Sequence, residues 1–453
     1  MMSMLLQEAI DTYHDTLTEQ LALETSHALF SRLRPLSLYF GDRPICTVLR
    51  PHFYFLEQWQ YLQRETEILL GAFAAAHQAC AADAGLRARL DLEPYEEQLF
   101  NVDIGTAVPW TTSRFDSFFL PHENRLQFVE YNAETPAGMG YEDVLAELFM
   151  ELEPMKQFAK TYAIQTMPMQ GRLLAALMRG YRDWGGQGIP QIAIVDWGHV
   201  PTLNEHAIIR TFFEENGLRV ILADPRGLEY RGGHLWAGQF RIDLIYKRVL
   251  CSELIHHMGI RNPIVRAVQD HAVYMTNSFS AKLMAKKNSL AFLSDEQNAH
   301  LFTEDQRAAI AAHIPWTRRI EERSTTYRGQ KIDLLPFLAQ NREQFVLKPN
   351  DEYGGTGVVL GWEASSETWN ATLQKALTTP HVAQERVEPI YRDFPAIING
   401  HLDISPRFID ANPYVFYGHT VHGCLTRLSS VALLNVTAGG GSVVPTFLLQ
   451  KRS

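Results

Sequence analysis

Four polar side chains on two short strand-like segments could together hold a metal ion. Arg114 and Asp116 stand two residues apart, and so do Glu130 and Asn132. Residues two apart in a strand point to the same face, so a hairpin of these segments would gather all four side chains. Carboxylate and amide oxygens suit Mg²⁺, which completes its shell with water and nucleotide phosphates. The arginine could stabilise the charge of a transferring phosphoryl group.

The same residues also fit a hairpin that simply exposes a charged face to solvent. Apolar Phe115, Val129 and Tyr131 fill the alternate positions, as either interpretation requires. The order of an aspartate followed by Glu-x-Asn favours the metal site.

A glycine-rich loop near the C-terminus is the second candidate for chemistry. An apolar segment ends at Lys348, and Gly354, Gly355 and Gly357 follow it. Glycines allow backbone N–H groups to approach phosphate oxygens closely, and the lysine would add a positive charge beside them. The loop is neither a Walker A sequence nor a Rossmann fingerprint. A glycine-rich hairpin with a surface lysine is the alternative.

Two further segments carry weaker signals. Lys287 belongs to a lysine cluster with Lys282 and Lys286, and on a helix the latter two would share a face. Most such lysines are solvated. The segment that contains Gln384, Glu385 and Val387 could present backbone groups to adenine, or it could be an ordinary strand that ends in charged residues.

The elements that must position these residues indicate an α/β (α+β) protein. Residues 1–95 have helical periodicity, whereas 190–275 alternate strands and helices, which favours an open parallel sheet. We expect four regions, namely a helical region (1–98), the metal-binding segment (99–189), an α/β sheet (190–275) and the nucleotide segment (276–453). A hairpin is predicted from Phe115–Phe119 and Leu126–Tyr131, and helices are predicted for Asp143–Phe158 and Asn204–Asn216. The stretch 276–340 is predicted to be mainly helical and more polar. The other predicted strands are Gln191–Val195, Leu218–Ala223, Asp243–Tyr246, Gln344–Lys348, Gly357–Gly361, His381–Val387, Tyr414–Thr420 and Gly423–Ser430.

Bulk composition narrows the classes of function. The chain has 453 residues, enough for several packed units, and a formal net charge of −10 that argues against nucleic acid as the main partner. The early acidic residues and the absence of long apolar stretches predict neither a signal peptide nor a membrane span. Its four scattered cysteines are typical of reduced thiols, so we expect a cytoplasmic protein without membrane partners.

Together these motifs resemble the ATP-grasp superfamily, specifically its circularly permuted branch with the glutathionylspermidine synthetase-like proteins. In ordinary ATP-grasp enzymes the nucleotide segment precedes the metal motif, whereas here the metal motif comes about two hundred residues earlier. The resemblance covers roughly residues 100–453. It implies a circularly permuted ATP-grasp fold with a pre-ATP-grasp-like sheet domain and an N-terminal helical region. No segment resembles the amidase domain of the bifunctional enzymes, and residues 1–95 match nothing in the family.

The resemblance also implies roles for individual residues. Arg114 looks like the transition-state arginine, and the magnesium ligands correspond to Asp116, Glu130 and Asn132. The nucleotide-binding positions are Lys287, Lys348, Gly354, Gly355, Gly357, Gln384, Glu385 and Val387, and more loosely Arg427 in a late segment that closes over the site.

The implied cofactors are ATP and Mg²⁺, and the implied reaction joins a small-molecule or peptide carboxylate to an amine through an acyl phosphate. Two alternatives remain. One is a catalytically silent ATP-binding regulatory or scaffold protein, and the other is a phosphotransferase that acts on a stable acceptor.

Overall fold

The computed structural model describes residues 2–102, 108–352, 354–429 and 441–452, and it has a mixed α/β fold. The helices are α1 Met2–Thr16, α2 Glu19–Leu33, α3 Leu56–Ala82, α4 Ala84–Ala88, α5 Pro94–Phe100, α6 Met139–Glu151, α7 Glu153–Phe158, α8 Gln170–Asp183, α9 Leu203–Glu215, α10 Cys251–Met258, α11 Pro263–Gln269, α12 Lys282–Ala285, α13 Asn288–Ser294, α14 Glu304–His313, α15 Leu334–Gln340 and α16 Ser366–Ala376.

The strands are β1 Tyr39–Phe40, β2 Arg43–Pro44, β3 His52–Phe55, β4 Thr112–Leu120, β5 Arg125–Asn132, β6 Tyr162–Gln165, β7 Gln191–Val195, β8 Arg219–Ala223, β9 Leu228–Arg231, β10 His234–Ala237, β11 Phe240–Ile242, β12 Leu244–Lys247, β13 Tyr274–Thr276, β14 Thr317–Arg319, β15 Ser324–Tyr327, β16 Gln330–Asp333, β17 Phe345–Pro349, β18 Val359–Leu360, β19 His381–Glu385, β20 Tyr391–Ile398, β21 His401–Ile409, β22 Asn412–Phe416, β23 Thr420–Ser429, β24 Gly441–Val444 and β25 Thr446–Lys451.

Three sheets matter for the candidate site. The largest has the strand order β20-β21-β23-β22-β4-β5, so the predicted hairpin and the C-terminal strands form one antiparallel sheet. A four-stranded antiparallel sheet, β14-β19-β17-β18, carries the lysine and the glycine loop. The third sheet, β13-β12-β7-β8, is parallel throughout, as the alternation of strands and helices predicted.

Helix α3 explains which face of the hairpin is left for chemistry. Phe115 and Tyr131 stack with their ring centroids 4.3 Å apart, and Phe73 of α3 lies 4.3 Å from the Tyr131 ring. Aromatic contacts of this kind add about 0.5–1.5 kcal/mol to the gain from burying apolar area. Because side chains alternate along a strand, packing of this face against α3 turns Arg114 and Asp116 to the opposite face.

Several predicted elements differ from the structure. The strand predicted for 414–420 is two strands, because Tyr417 and Gly418 both have positive φ and form the turn between β22 and β23. The stretch 276–340 is less helical than predicted, because β14 pairs with β19 and β15 forms a hairpin with β16. In the strand predicted for 357–361, only Val359–Leu360 pairs with β17.

In the N-terminal region, most of 1–95 is helical as predicted, but His52–Phe55 is a strand that pairs in parallel with β25. Tyr353 in the glycine loop and Ser430 at the end of a predicted strand lie outside the described residues.

Candidate functional site

The predicted hairpin is confirmed, and its register sets the four polar residues opposite one another. Asp116 pairs with Glu130 across β4 and β5, and Arg114 pairs with Asn132. Arg114 Nε donates to Asp116 Oδ1 at 2.9 Å, and Asn132 Nδ2 donates to the same oxygen at 3.0 Å. The two strands therefore place an arginine, two carboxylates and an amide together.

Arg427 approaches Asp116 from β23. Its Nη2 lies 2.7 Å from Asp116 Oδ2, and it also pairs with Asp410 at 2.5 Å. Burial would raise the pKa of Asp116, but the guanidinium groups of Arg114 and Arg427 outweigh that effect and lower the pKa to about 2. Asp116 is thus an ionised carboxylate held between two arginines. Sequence reasoning missed Asp410, which has no motif around it.

Two lysines from the C-terminal half reach strand β5. Lys287 Nζ lies 3.1 Å from Glu130 Oε1. Lys348 Nζ donates to the carbonyl oxygen of Val129 at 3.3 Å and to Gln384 Oε1 at 2.6 Å. Burial lowers the pKa of Lys348 to about 8, with Lys287 adding to the effect and the carboxylate of Glu130 opposing it.

The glycine loop after Lys348 has the conformation for which glycine is suited. Gly354, Gly355 and Gly357 have φ values of 65°, 79° and 70°, a region that other residues enter at a cost. A Cβ on Gly357 would lie 2.8 Å from Pro349 Cγ. The backbone carbonyl of Glu352 in this loop accepts a hydrogen bond from Lys287 Nζ, so the loop touches the same lysine as the hairpin.

The sequence predicts that Lys282 and Lys286 are solvated, but the structure buries both side chains. Lys282 is 5 % exposed and Lys286 2 % exposed. Lys282 contacts Asp351 at 2.6 Å and Glu134 at 3.1 Å, while Lys286 contacts Asp351 at 3.0 Å. Buried charges persist in proteins when they are paired, and these pairs attach the start of the glycine loop to the end of the hairpin. Lys247 completes the cluster at 3.2 Å from Glu134.

The predicted adenine segment begins within β19, which contains Gln384 and Glu385, and continues past its end. The Gln384 side chain is committed to Lys348, and the Glu385 carboxylate accepts hydrogen bonds from Tyr327 Oη and Arg328, both at 2.8 Å. The Glu385 backbone N–H donates to the Trp316 carbonyl at 2.8 Å. Val387 lies beyond the end of the strand, and its role in adenine binding stays a prediction.

A turn after the hairpin holds Arg114 in place. Arg114 Nη1 donates to the Ala137 carbonyl at 2.8 Å, and Tyr414 Oη donates to the same oxygen at 2.6 Å. Gly138 has φ of 110°, and its N–H donates to Glu205 Oε1 at 2.7 Å. These residues lie far apart in sequence, so no local pattern could have indicated them.

The donor atoms in this region fit Mg²⁺. The described residues contain no group of three or more His, Cys, Asp and Glu side chains able to hold a metal ion. Mg²⁺ needs fewer, since one or two carboxylates together with nucleotide phosphates are its usual ligands. Glu130 is 31 % exposed, and Asn132 donates through its nitrogen and thereby leaves its amide oxygen available. Asp116 is the second carboxylate, and both of its oxygens accept hydrogen bonds, from Arg114 and Asn132 at Oδ1 and from Arg427 at Oδ2.

Comparison with solved structures assigns the chain to a fold class. It matches a glutathione synthetase-like effector from Globodera pallida, determined in its apo form, with a TM-score of 0.57 and 11 % identity over 99 % of this chain and 98 % of that one. At this identity the likeness shows the fold alone, a mixed α/β fold shared with that glutathione synthetase-like protein. A D-alanyl-alanine synthetase A from Vibrio cholerae gives a TM-score of 0.28 at 10 % identity over 59 % of this chain and 90 % of that one, which is too low to carry an argument.

Sequence comparison finds one curated relative. It is a protein of Frankia casuarinae with the provisional name glutamate–cysteine ligase 2-2, 22 % identical over 336 residues. The match spans 69 % of this chain but only 36 % of that protein, so the chain covers about a third of the relative's length. No protein-family model matches the chain. In the part of the chain that the structure describes, no helix is long and apolar enough to cross a membrane.

Proposed function

We propose that this chain is an ATP- and Mg²⁺-dependent ligase of the circularly permuted ATP-grasp type that joins a carboxylate to an amine. The observation that carries the proposal is the meeting of Lys287 and Lys348 with the acidic strand of the hairpin. Two cations from one half of the chain thereby meet one strand of the other half, Lys287 at the Glu130 carboxylate and Lys348 at the Val129 carbonyl. Such an arrangement is suited to a nucleotide triphosphate that lies between them.

The order of the segments supports the permuted branch. The hairpin with Asp116 and Glu130 comes first in the chain, and the strand with Lys348 comes about two hundred residues later, yet Lys348 Nζ reaches the Val129 carbonyl on the hairpin. The ligase names of the Frankia relative and of the glutathione synthetase-like structure agree with carboxylate–amine joining.

In the proposed phosphoryl transfer, each of these residues would have its own role. Lys287 and Lys348 neutralise the phosphates, and the glycine loop closes over them and excludes water. Asp116, Glu130 and Asn132 would hold Mg²⁺, which supplies charge neutralisation when it is bound. The substrate carboxylate forms a bond to the γ-phosphorus as the bond to the bridging oxygen of ADP breaks. Arg114 stabilises the charge that develops on the transferred group.

The second half of the reaction forms the amide. The amine attacks the carbonyl carbon of the acyl phosphate, loses a proton and expels inorganic phosphate. The protein contributes positioning and charge stabilisation, because no serine or cysteine nucleophile is required.

The experiment is ADP release from purified protein with Mg-ATP against pooled amino acids, short peptides and amines. Release that requires both an acid and an amine, and that disappears in Glu130→Ala, is the expected result. Phosphorylated product without amide would favour a phosphotransferase instead. Tight ATP binding without ADP release in any pool would favour the silent nucleotide-binding protein.

A further inference from the structure

A cavity of about 550 Å³ lies apart from the residues of the candidate nucleotide site. Its walls come from helices α6 and α9, from the segment 166–171 and from the turn after α2. The volume is within the range of small-molecule pockets, roughly 300–1,000 Å³. Nothing in the proposed reaction scheme uses the side chains that line it.

Acidic side chains line this cavity. Four carboxylate residues line it, and none of its described lining residues is lysine, arginine or histidine. The four are Glu142, Asp143, Glu147 and Glu215. Glu147 and Glu215 are exposed, whereas Asp143 is half-buried and its carboxylate accepts the N–H groups of Met169 and Gln170 at 2.7 and 2.9 Å. Asp143 therefore fixes one wall of the cavity.

Glu142, unlike Asp143, accepts no N–H group from the described part of the backbone. Its side chain is buried at 4 % exposure, and its Oε1 atom accepts no hydrogen bond from any residue that the structure describes. A buried polar atom without a partner is uncommon in native proteins and calls for an explanation. Burial, with the neighbouring charge of Asp143, raises the pKa of Glu142 well above its usual range.

The cavity wall also has an apolar part, formed by residues that include Leu36, Met169, Ile208 and Phe212, beside polar residues such as Ser37 and Thr211. An apolar wall combined with a buried acid suits a ligand that has both a hydrocarbon part and a positive charge.

We propose that this cavity binds a primary alkylammonium ion, with Glu142 as its buried counter-ion and the apolar wall around its carbon chain. The exposed carboxylates Glu147 and Glu215 attract the cation toward the cavity. On binding, the carboxylate of Glu142 pairs with the ammonium group. The proposal does not depend on ATP or on the ligase reaction, so it can hold even if the proposed function is wrong.

The test is isothermal titration calorimetry of the full-length protein with pentylamine, and with pentanol as the neutral match. We expect pentylamine to bind at least tenfold more tightly than pentanol. Glu142→Gln should weaken pentylamine binding at least tenfold and remove its advantage over pentanol. The matched variant Glu147→Gln, which removes an exposed charge, should change the affinity less than threefold.

Three results would overturn the proposal. They are the absence of pentylamine binding, equal affinity for pentanol, and unchanged binding by a folded Glu142→Gln protein. If that variant does not fold, Ile208→Trp supplies a second test, since it fills the cavity from a half-buried position and should block binding. The comparison of pentylamine with pentanol in the unaltered protein remains decisive in either case.

Discussion

Lys348 gives the sharpest prediction, because its charge changes within an accessible pH range. Burial lowers the pKa of this lysine to about 8, and Gln384 and the Val129 carbonyl are its hydrogen-bond partners. The ammonium form is present below that pH and is lost as the pH rises through it. A bound phosphate would favour the charged form and raise the pKa of Lys348, so nucleotide affinity must fall as the solution becomes alkaline.

The magnitude follows from the fraction of lysine that is charged. With a pKa of about 8 in the free protein, and a pKa in the complex well above about 9, the dissociation constant for Mg-ATP should rise about tenfold between about pH 7 and about pH 9. Titration of a fluorescent ATP analogue across this range measures the change. Lys348→Arg keeps its charge throughout and should show a flat profile. Lys348→Met should bind weakly at every pH, also without a slope.

Two results would refute this reasoning. A constant dissociation constant from about pH 7 to about pH 9 in the unaltered protein would mean that Lys348 does not contact the phosphates, or that its pKa is not lowered. An equal slope in Lys348→Arg would assign the titration to another group.

The remaining predictions concern the elements that support the site. Gly357→Ala should lower the free energy of unfolding by about 1–2 kcal/mol, since alanine meets both a positive φ and the Pro349 ring; an unchanged urea midpoint would contradict this. Asp116→Asn should cost about 3 kcal/mol, because it leaves buried Arg114 without its carboxylate partner and Arg427 with Asp410 alone. The pKa of Asp116 is lowered to about 2, so its contribution is present above about pH 4 and lost as the pH falls through 2; the gap between the two urea curves should therefore be constant from about pH 5 to 8. Lys282→Met should leave Asp351 without its 2.6 Å partner and speed limited proteolysis in the glycine loop, whereas unchanged cleavage would show that the lysine does not hold the loop.

Local patterns were enough to predict part of this molecule. The hairpin followed from alternating polar and apolar residues, and its register places Asp116 opposite Glu130. Strand β7 was predicted with the bounds that it has, because its continuous apolar run is typical of a buried parallel strand. In each case the signal lies within a few consecutive residues.

Contacts between distant parts of the chain were not predictable in the same way. Arg427 pairs with Asp410 and Asp116, the latter more than three hundred residues away, and no periodicity encodes that meeting. The sequence predicts solvated side chains for Lys282 and Lys286, because most lysines in proteins are exposed to solvent. Their burial depends on Asp351 and on carboxylates from other elements, which only the tertiary fold brings to them.

The measurement that tests the central claim most directly is isotope transfer from the substrate carboxylate to phosphate. Acid pools labelled with a heavy oxygen isotope in the carboxylate are incubated with the protein, Mg-ATP and amines, and the released phosphate is analysed by mass spectrometry. A carboxylate–amine ligase that acts through an acyl phosphate must place one labelled oxygen in each phosphate, and Glu130→Gln should release none. Phosphate that is released without label, in step with ADP, would contradict the account.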